Sequence, residues 1–167
     1  MVTPSKRIVN LIGAACCAGM LAFALYSQHV LLLDPCPLCI LQRIAVIALG
    51  MTLLAAAIHG PQRIASYIYA ALSTLLASLG VAVAGWHVHL QNLPADEVPS
   101  CGPGLEYMLE NFPLKDALSM VLKGSGECAE VSWRFLGLTM PTWVVVSMVC
   151  LAAVAVWNNL RRTIINY

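Results

Sequence analysis

The sequence predicts an all-α membrane protein: a four-transmembrane-helix bundle with a short amphipathic helix in the long second outer loop. Hydrophobic residues make up 60% of the chain and charged residues only 10%, a balance that soluble domains do not show. Four apolar runs are each long enough to cross a bilayer, which takes roughly 20 residues. We therefore expect a single integral membrane domain over residues 1–167. The net charge of +1, without a basic cluster, gives no indication of nucleic-acid binding.

The first spanning helix is predicted over about residues 8–30, after a short polar start that carries Lys6 and Arg7. Within it, Ala22-Phe23-Ala24 has the small-x-small pattern of a signal-peptide cleavage site. Because the apolar run continues past this pattern and no long soluble domain follows, we expect an uncleaved spanning helix.

A short outer connection over about residues 31–36 leads into the second helix, which is predicted over about residues 37–58. Asp34 is a favourable N-cap residue and Pro35 suits a first helical turn. The second helix is therefore expected to start close to them.

The third and fourth helices are predicted over about residues 64–90 and 140–158, with the second outer loop over about residues 91–139 between them. Trp86 near the end of the third helix and Trp143 near the start of the fourth suit the membrane interface, where tryptophan is enriched.

A short amphipathic helix is predicted within the second outer loop. Its apolar residues recur at helical spacing, polar residues fill the opposite face, and Gly124 supplies a stop. Such a helix is expected to lie along the membrane surface. The two faces are Leu114, Ala117, Leu118, Val121 and Leu122 against Lys115, Asp116, Ser119 and Lys123.

The distribution of charge predicts the orientation, because short loops that carry Lys and Arg stay in the cytoplasm. Both termini and the turn after the second helix carry cations and no acid, whereas all 8 acidic residues fall on the opposite side. We therefore expect both termini to be cytoplasmic. The cations are Lys6, Arg7, Arg63, Arg161 and Arg162.

Cys36 and Cys39 form a Cys-x-x-Cys pair at the mouth of the second helix. Unpaired backbone N–H groups and the positive end of the helix dipole favour a thiolate there, which makes the pair a redox candidate. Arg43 follows about one turn beyond Cys39 on the same helical face. A cation inside a membrane indicates a functional site, and Arg43 is suited to stabilise the Cys39 thiolate or to polarise a quinone carbonyl.

A second pair, Cys101 and Cys128, occupies Gly-rich stretches on either side of the amphipathic helix. Cysteines on flexible loops are well placed to form a mixed disulfide with a partner protein. Disulfides on the extracytoplasmic side of the membrane persist only if the compartment on that side is oxidising. The two pairs together indicate a thiol–disulfide relay. Three further cysteines lie mid-helix in apolar surroundings and are expected to act as small hydrophobes: Cys16, Cys17 and Cys150.

The motifs occur in a specific combination and order. They are Cys36-Pro37-Leu38-Cys39-Ile40-Leu41-Gln42-Arg43, Cys101, Gly126-Glu127-Cys128-Ala129-Glu130, Trp133-Arg134-Phe135-Leu136-Gly137-Leu138 and Met140-Pro141-Thr142-Trp143. In these motifs and in topology, nearly the whole chain resembles the DsbB family of disulfide bond formation proteins.

The resemblance implies a quinone-dependent thiol oxidase of the bacterial inner membrane that reoxidises a DsbA-like periplasmic thiol oxidase. Ubiquinone or menaquinone from the membrane quinone pool would accept the electrons. On the matching positions, Cys101 would form the mixed disulfide with the partner, and Cys128 would be its loop companion. Cys36 would link the two pairs, and Cys39 would face the quinone beside Arg43.

Two residues at the outer end of the third helix, His87 and Gln91, resemble the family's quinone-side residues. His89 is an additional histidine in this segment. Because His87 and His89 are two residues apart, they point in different directions on a helix. We expect no metal ligands among the site residues.

Two alternatives stay open. A relative of the vitamin K epoxide reductase type uses a similar bundle for quinone-linked thiol chemistry, although the sequence context of both pairs argues against it. A non-enzymatic membrane zinc-binding assembly factor would use the four cysteines as ligands, although Cys101 and Cys128 are too far apart to form a second Cys-x-x-Cys knuckle.

Overall fold

Four long helices dominate the structure, a computed structural model that describes residues 5–94, 96–98 and 105–161. The helices α1, α2, α3 and α7 are long and apolar enough to span a membrane, which confirms the predicted all-α four-helix membrane bundle. The elements are α1 (Lys6–His29), α2 (Pro37–His59), α3 (Ile64–Leu90), α4 (Leu105–Asn111), α5 (Leu114–Lys123), α6 (Gly126–Ala129), β1 (Arg134–Phe135), β2 (Leu138–Thr139) and α7 (Met140–Leu160).

The bundle core lies where the four spanning helices meet. α3 packs along α7, and α2 packs against both α1 and α3. Small residues permit this close approach, as is usual between helices in membranes. A Cβ added at Gly80 would lie 2.9 Å from Met148 Cε and 3.3 Å from Ala45 Cβ. The buried core residues are Cys17, Val46, Leu49, Leu53, Ala77, Met148 and Ala155.

The second spanning helix begins at Pro37, and its N-cap is Cys36. The N-cap role predicted for Asp34 is therefore wrong. A helix capped by Asp34 would need Cys36 in the α-helical conformation, but Cys36 precedes Pro37, and a proline ring disfavours that conformation of the residue before it. Cys36 accordingly stays extended (φ −65°, ψ 162°), and its Sγ accepts a hydrogen bond from the Cys39 N–H at 3.3 Å.

The amphipathic helix predicted in the second outer loop is present as α5. Ala117 and Val121 are buried against the start of α2 and the end of α3, so α5 covers this end of the bundle. Leu114, Leu118 and Leu122 remain exposed. The apolar stripe therefore divides into a row that packs on the bundle and a row that does not.

A two-stranded antiparallel hairpin, β1 with β2, precedes α7 and was not predicted. Its turn consists of Leu136 (φ 50°) and Gly137 (φ 80°), and two successive residues of positive φ are typical of a tight hairpin turn. Strands of two residues are too short to produce an alternating pattern in a sequence.

A buried asparagine cluster joins the beginning of α1 to the end of α7. Asn158 Nδ2 donates to the Lys6 carbonyl oxygen at 3.0 Å and to Asn10 Oδ1 at 3.1 Å. Asn10 Nδ2 donates to Asn159 Oδ1 at 3.3 Å. Because all three amides are buried from water, which therefore cannot replace a lost partner, they depend on one another.

Asn158→Leu is expected to lower the free energy of unfolding by about 1–2 kcal/mol, since it leaves the buried Asn10 amide without its donor. Unfolding of the purified chain by a denaturing detergent, followed by circular dichroism, measures this loss. Asn92→Leu is the matched control, because Asn92 is exposed and its Nδ2 bonds the Val88 carbonyl oxygen at 2.7 Å within its own turn. Equal destabilisation of the two variants would contradict the role of the asparagine cluster.

Candidate functional site

Cys36 lies at the centre of the cysteine site. Its Sγ is 2.9 Å from Cys39 Sγ and 3.8 Å from His87 Nε2. The ligand atoms of Cys36, His87 and Cys128 all lie within 4.8 Å of one another. These three side chains are 6%, 3% and 0% exposed, so their polar atoms are held away from water. The structure thus brings one cysteine of each predicted pair together with a histidine.

Three separate elements deliver these side chains. Cys36 is the N-cap of α2, His87 is in the last turn of α3, and Cys128 is on the short helix α6. Gly124 precedes α6 with φ +82°, and a Cβ added there would collide with Leu90. Glycine alone combines this backbone conformation with the absence of a side chain, and it allows α6 to approach α3.

Gln42 orients His87. The Gln42 Nε2 donates to His87 Nδ1 at 2.9 Å, which places the ring proton on Nε2, the nitrogen that faces Cys36. Sequence reasoning missed Gln42, although a buried amide in an apolar run, one turn beyond Cys39, was a usable signal. His89 is exposed, which confirms that the two histidines point in different directions.

Arg43 is directed towards α1. Its guanidinium donates to Gln28 Oε1 at 2.6 Å and to the Ala24 carbonyl oxygen at 3.1 Å. These bonds use two of the five N–H donors of an arginine. The sequence suggested the Cys39 thiolate as the partner of Arg43, whereas the hydrogen bonds that the structure shows go to neutral groups. Arg43 and Cys39 nevertheless line one cavity.

This cavity has a volume of about 120 Å³ and lies beside the cysteine site. Five of the predicted site residues line it, together with Gln42. Gln91 Oε1 is buried and has no hydrogen-bond partner among the described residues. The polar lining consists of Cys36, Cys39, Gln42, Arg43, His87 and Gln91, with Asp34, Glu127, Glu130, Ser27 and Ser132 also at the wall.

An apolar groove of about 380 Å³ adjoins the cavity between α1 and α7. Aromatic rings cover its outer end: Phe23 contacts Trp133, Trp133 stacks on Phe135, and Phe135 contacts Trp143, with centroids 5.4, 6.0 and 6.0 Å apart. Residues that line both the groove and the cavity are Met20, Ala24, Trp133, Met140 and Val144.

The two cysteines that lie outside the spanning segments differ in acidity. The hydrogen bond from the Cys36 thiol lowers the pKa of Cys128 to about 5, against the effect of burial. Hydrogen bonds with Ser125 and with the Leu38 backbone also lower the pKa of Cys128. The contacts of Cys36 with Cys128 and Cys39 raise the pKa of Cys36. In the reduced site, Cys128 therefore carries the negative charge and Cys36 keeps its proton.

The remaining cysteines divide into two groups. Cys101, the predicted partner of Cys128, lies outside the described residues. Cys17 is buried in the bundle core, and Cys16 and Cys150 are exposed on the outer faces of their helices. These positions agree with the prediction that the mid-helix cysteines act as small hydrophobes.

The spanning helices and the buried site define the class of protein: a multi-pass membrane protein with a buried cluster of two cysteines and a histidine. The family model described as Disulfide bond formation protein DsbB matches residues 6–158. The chain belongs to the DsbB family, and it is a disulfide-forming oxidoreductase of a bacterial membrane.

Several relatives bear the name Disulfide bond formation protein B. The relative from Nitrosococcus oceani is 51% identical over 92% of this chain and 91% of its own length. That from Methylococcus capsulatus is 49% identical over 97% of this chain and 100% of its own length. That from Chromobacterium violaceum is 53% identical over 89% of this chain and 87% of its own length.

Gly124→Ala is expected to separate Cys128 from Cys36, because the added Cβ would collide with Leu90. Cross-linking by dibromobimane, which becomes fluorescent when it joins two nearby thiols, measures this in a chain whose other cysteines are alanine. We expect a several-fold lower yield. Gly137→Ala is the matched control, since Gly137 also has a positive φ (80°) but no atom within 4 Å of an added Cβ. An equal loss of cross-linking yield in both variants would contradict this explanation, because backbone strain alone would then account for the effect.

The thiolate absorbance of Cys128 is expected to fall as the pH drops through about 5, because a lowered folded-state pKa keeps the charge above that pH and loses it below. The signal is the absorbance of the reduced chain minus that of Cys128→Ser, across a pH titration. Cys36→Ala should move the midpoint upward, since it removes the largest cause of the lowered pKa, whereas Cys150→Ala should not. A midpoint that stays near 5 without Cys36 would contradict this assignment.

Proposed function

We propose that this chain is a quinone-dependent thiol oxidase that reoxidises a DsbA-like periplasmic thiol oxidase. The observation that carries the proposal is the position of Cys36, whose sulfur lies 2.9 Å from that of Cys39 and within 4.8 Å of that of Cys128. A sulfur with both neighbours within reach exchanges one disulfide bond for another. That exchange is the step that joins two cysteine pairs.

The first exchange in this proposal involves the partner. A thiolate of the reduced partner attacks Cys101 of the Cys101–Cys128 disulfide, which forms a mixed disulfide and releases the Cys128 thiolate. Cys128 then attacks Cys36, so that the Cys36–Cys39 bond breaks, the Cys36–Cys128 bond forms and Cys39 leaves as a thiolate. The second thiolate of the partner resolves the mixed disulfide, which leaves the partner oxidised and Cys101 free.

The last exchange restores the loop pair. The Cys101 thiolate attacks Cys128, which re-forms the Cys101–Cys128 disulfide and releases Cys36. Two electrons then reside on Cys36 and Cys39. His87 stabilises the Cys36 thiolate as it leaves, because its Nε2–H faces that sulfur and Gln42 holds the ring in this tautomer.

The cavity beside Cys39 fits a quinone head group. A quinone needs donors for its carbonyl oxygens and, once reduced, acceptors for its hydroxyl groups. Arg43 offers N–H donors at the cavity wall, and Gln91 offers a buried carbonyl oxygen without a partner. The adjoining apolar groove suits an isoprenoid tail. When bound, ubiquinone or menaquinone supplies the capacity to accept the two electrons and two protons of the Cys36–Cys39 dithiol.

The charge distribution supports a periplasmic position for the cysteine site. Acidic side chains such as Asp34 and Glu127 surround the site, whereas Arg63 and Arg161 lie at the opposite ends of the spanning helices. Cations favour the cytoplasmic side, so both termini belong in the cytoplasm and the cysteines face an oxidising compartment. The proposed location is the bacterial inner membrane.

Quinone reduction by the purified chain with a reduced DsbA-like partner tests the proposal. We expect turnover by the intact chain, its loss in Cys39→Ser and in Cys101→Ser, and a KM for quinone raised at least several-fold in Arg43→Ala with a smaller change in the KM for the partner. Arg134→Ala is the matched control, because Arg134 is an exposed cation outside the cavity.

Two results would contradict the proposal. Full turnover by Cys39→Ser would show that Cys39 is not part of the electron-acceptor site. Oxidation of the partner by the intact chain without reduction of either ubiquinone or menaquinone would refute quinone dependence while leaving disulfide formation intact.

A further inference from the structure

We propose that the fully reduced chain binds one zinc ion through Cys36, His87 and Cys128, and that the ion holds the cysteine relay in an inactive state. The three residues come from the start of α2, the end of α3 and α6, and their ligand atoms lie within 4.8 Å of one another. Each side chain is more than nine-tenths buried. Two thiolates and an imidazole are donors that Zn²⁺ prefers in proteins.

The spacing of the donors fits a tetrahedral ion. With Zn–S distances near 2.3 Å and Zn–N distances near 2.0–2.1 Å, two donors on one zinc ion lie roughly 3.5–3.8 Å apart. Cys36 Sγ and His87 Nε2 are 3.8 Å apart, and no separation in the set exceeds 4.8 Å. Closure around the ion therefore needs side-chain shifts of about 1 Å or less. Cys39 Sγ lies 2.9 Å from Cys36 Sγ and is a further thiol beside this set.

Gln42 supports this site from outside the coordination sphere. Zinc takes the lone pair of His87 Nε2, which moves the ring proton to Nδ1. In the zinc-free structure, Gln42 Nε2 lies 2.9 Å from His87 Nδ1. When the Gln42 amide is rotated by 180°, its Oε1 takes that place and accepts the proton on His87 Nδ1. An oxygen acceptor on the far nitrogen is a regular feature of zinc-bound histidine. The thiol protons leave as the Zn–S bonds form, and no electron is transferred.

Zinc binding selects the reduced chain. In a Cys36–Cys39 disulfide, Cys36 has no thiolate to donate, so the ion stabilises the reduced state by mass action. Sulfurs that ligate zinc are also withdrawn from thiol–disulfide exchange. The predicted result is inhibition that rises with free zinc concentration and does not depend on which partner or electron acceptor serves the chain.

Titration of the full-length chain in detergent micelles with Co²⁺ and then Zn²⁺, after reduction with a phosphine, tests this proposal. One equivalent of Co²⁺ should produce thiolate charge-transfer bands and tetrahedral d–d bands, and Zn²⁺ should remove the d–d bands. Gln42→Leu should weaken binding roughly 10–100-fold, and Cys128→Ser or His87→Ala should weaken it more. His87→Cys, which keeps a zinc ligand, should retain binding, and Cys101→Ser should bind like the intact chain.

Three results would overturn the proposal: no tetrahedral thiolate bands, equal affinity in the disulfide-bonded chain, or unchanged affinity in both His87→Ala and Cys128→Ser. Loss of binding in Cys101→Ser with full binding in His87→Ala would also overturn it, because the ion would then occupy a four-cysteine site. Circular dichroism verifies that each variant keeps its helices, and His87→Gln replaces His87→Ala if the smaller side chain disturbs the fold.

Discussion

The cysteine site depends on one backbone constraint, the proline on either side of Cys36. Pro37 keeps Cys36 out of the α-helical region, and Pro35 does the same to the residue before it, so the outer connection ends in a defined N-cap. The sulfur is thereby fixed over the first turn of α2, where His87 and Cys128 reach it from α3 and α6. A connection without these prolines would lose more conformational entropy on folding, and weak contacts to sulfur would not offset that loss.

The site also shows how a cationic side chain is accommodated within a spanning helix. Arg43 donates to an amide and a backbone carbonyl of α1, both of them neutral, so its positive charge is solvated without being cancelled. Its field therefore remains available to a thiolate or a reduced acceptor in the cavity. A carboxylate partner would have made the cation easier to bury and less useful there. Polar groups line the cavity, while the adjoining groove is almost wholly apolar.

Patterns that repeat over many residues were predictable, and single contacts between distant elements were not. The four spanning helices and α5 followed from apolar run length and helical spacing, because burial in lipid or protein imposes those patterns. Cys36, Arg43 and Gln91, which the sequence singled out, line one cavity, and their roles in the chemistry stay predictions. Gln42 was missed because its role comes from His87, which is 45 residues away in sequence. The N-cap prediction was wrong because N-cap preference was considered for Asp34 without the effect of Pro37, which keeps Cys36 out of the helix.

The asparagine cluster limits how α1 and α7 move against each other. The amides join the two helices at one end, and the apolar groove separates them at the other. Sliding of α1 along α7 would break several directional hydrogen bonds at once, whereas spreading at the groove end breaks only dispersion contacts, which are individually weak. The helix pair is therefore held rigidly at the asparagine end and spreads more easily at the groove end. Such spreading would widen the groove beside the cavity, while the asparagine cluster keeps the other end of the helix pair closed.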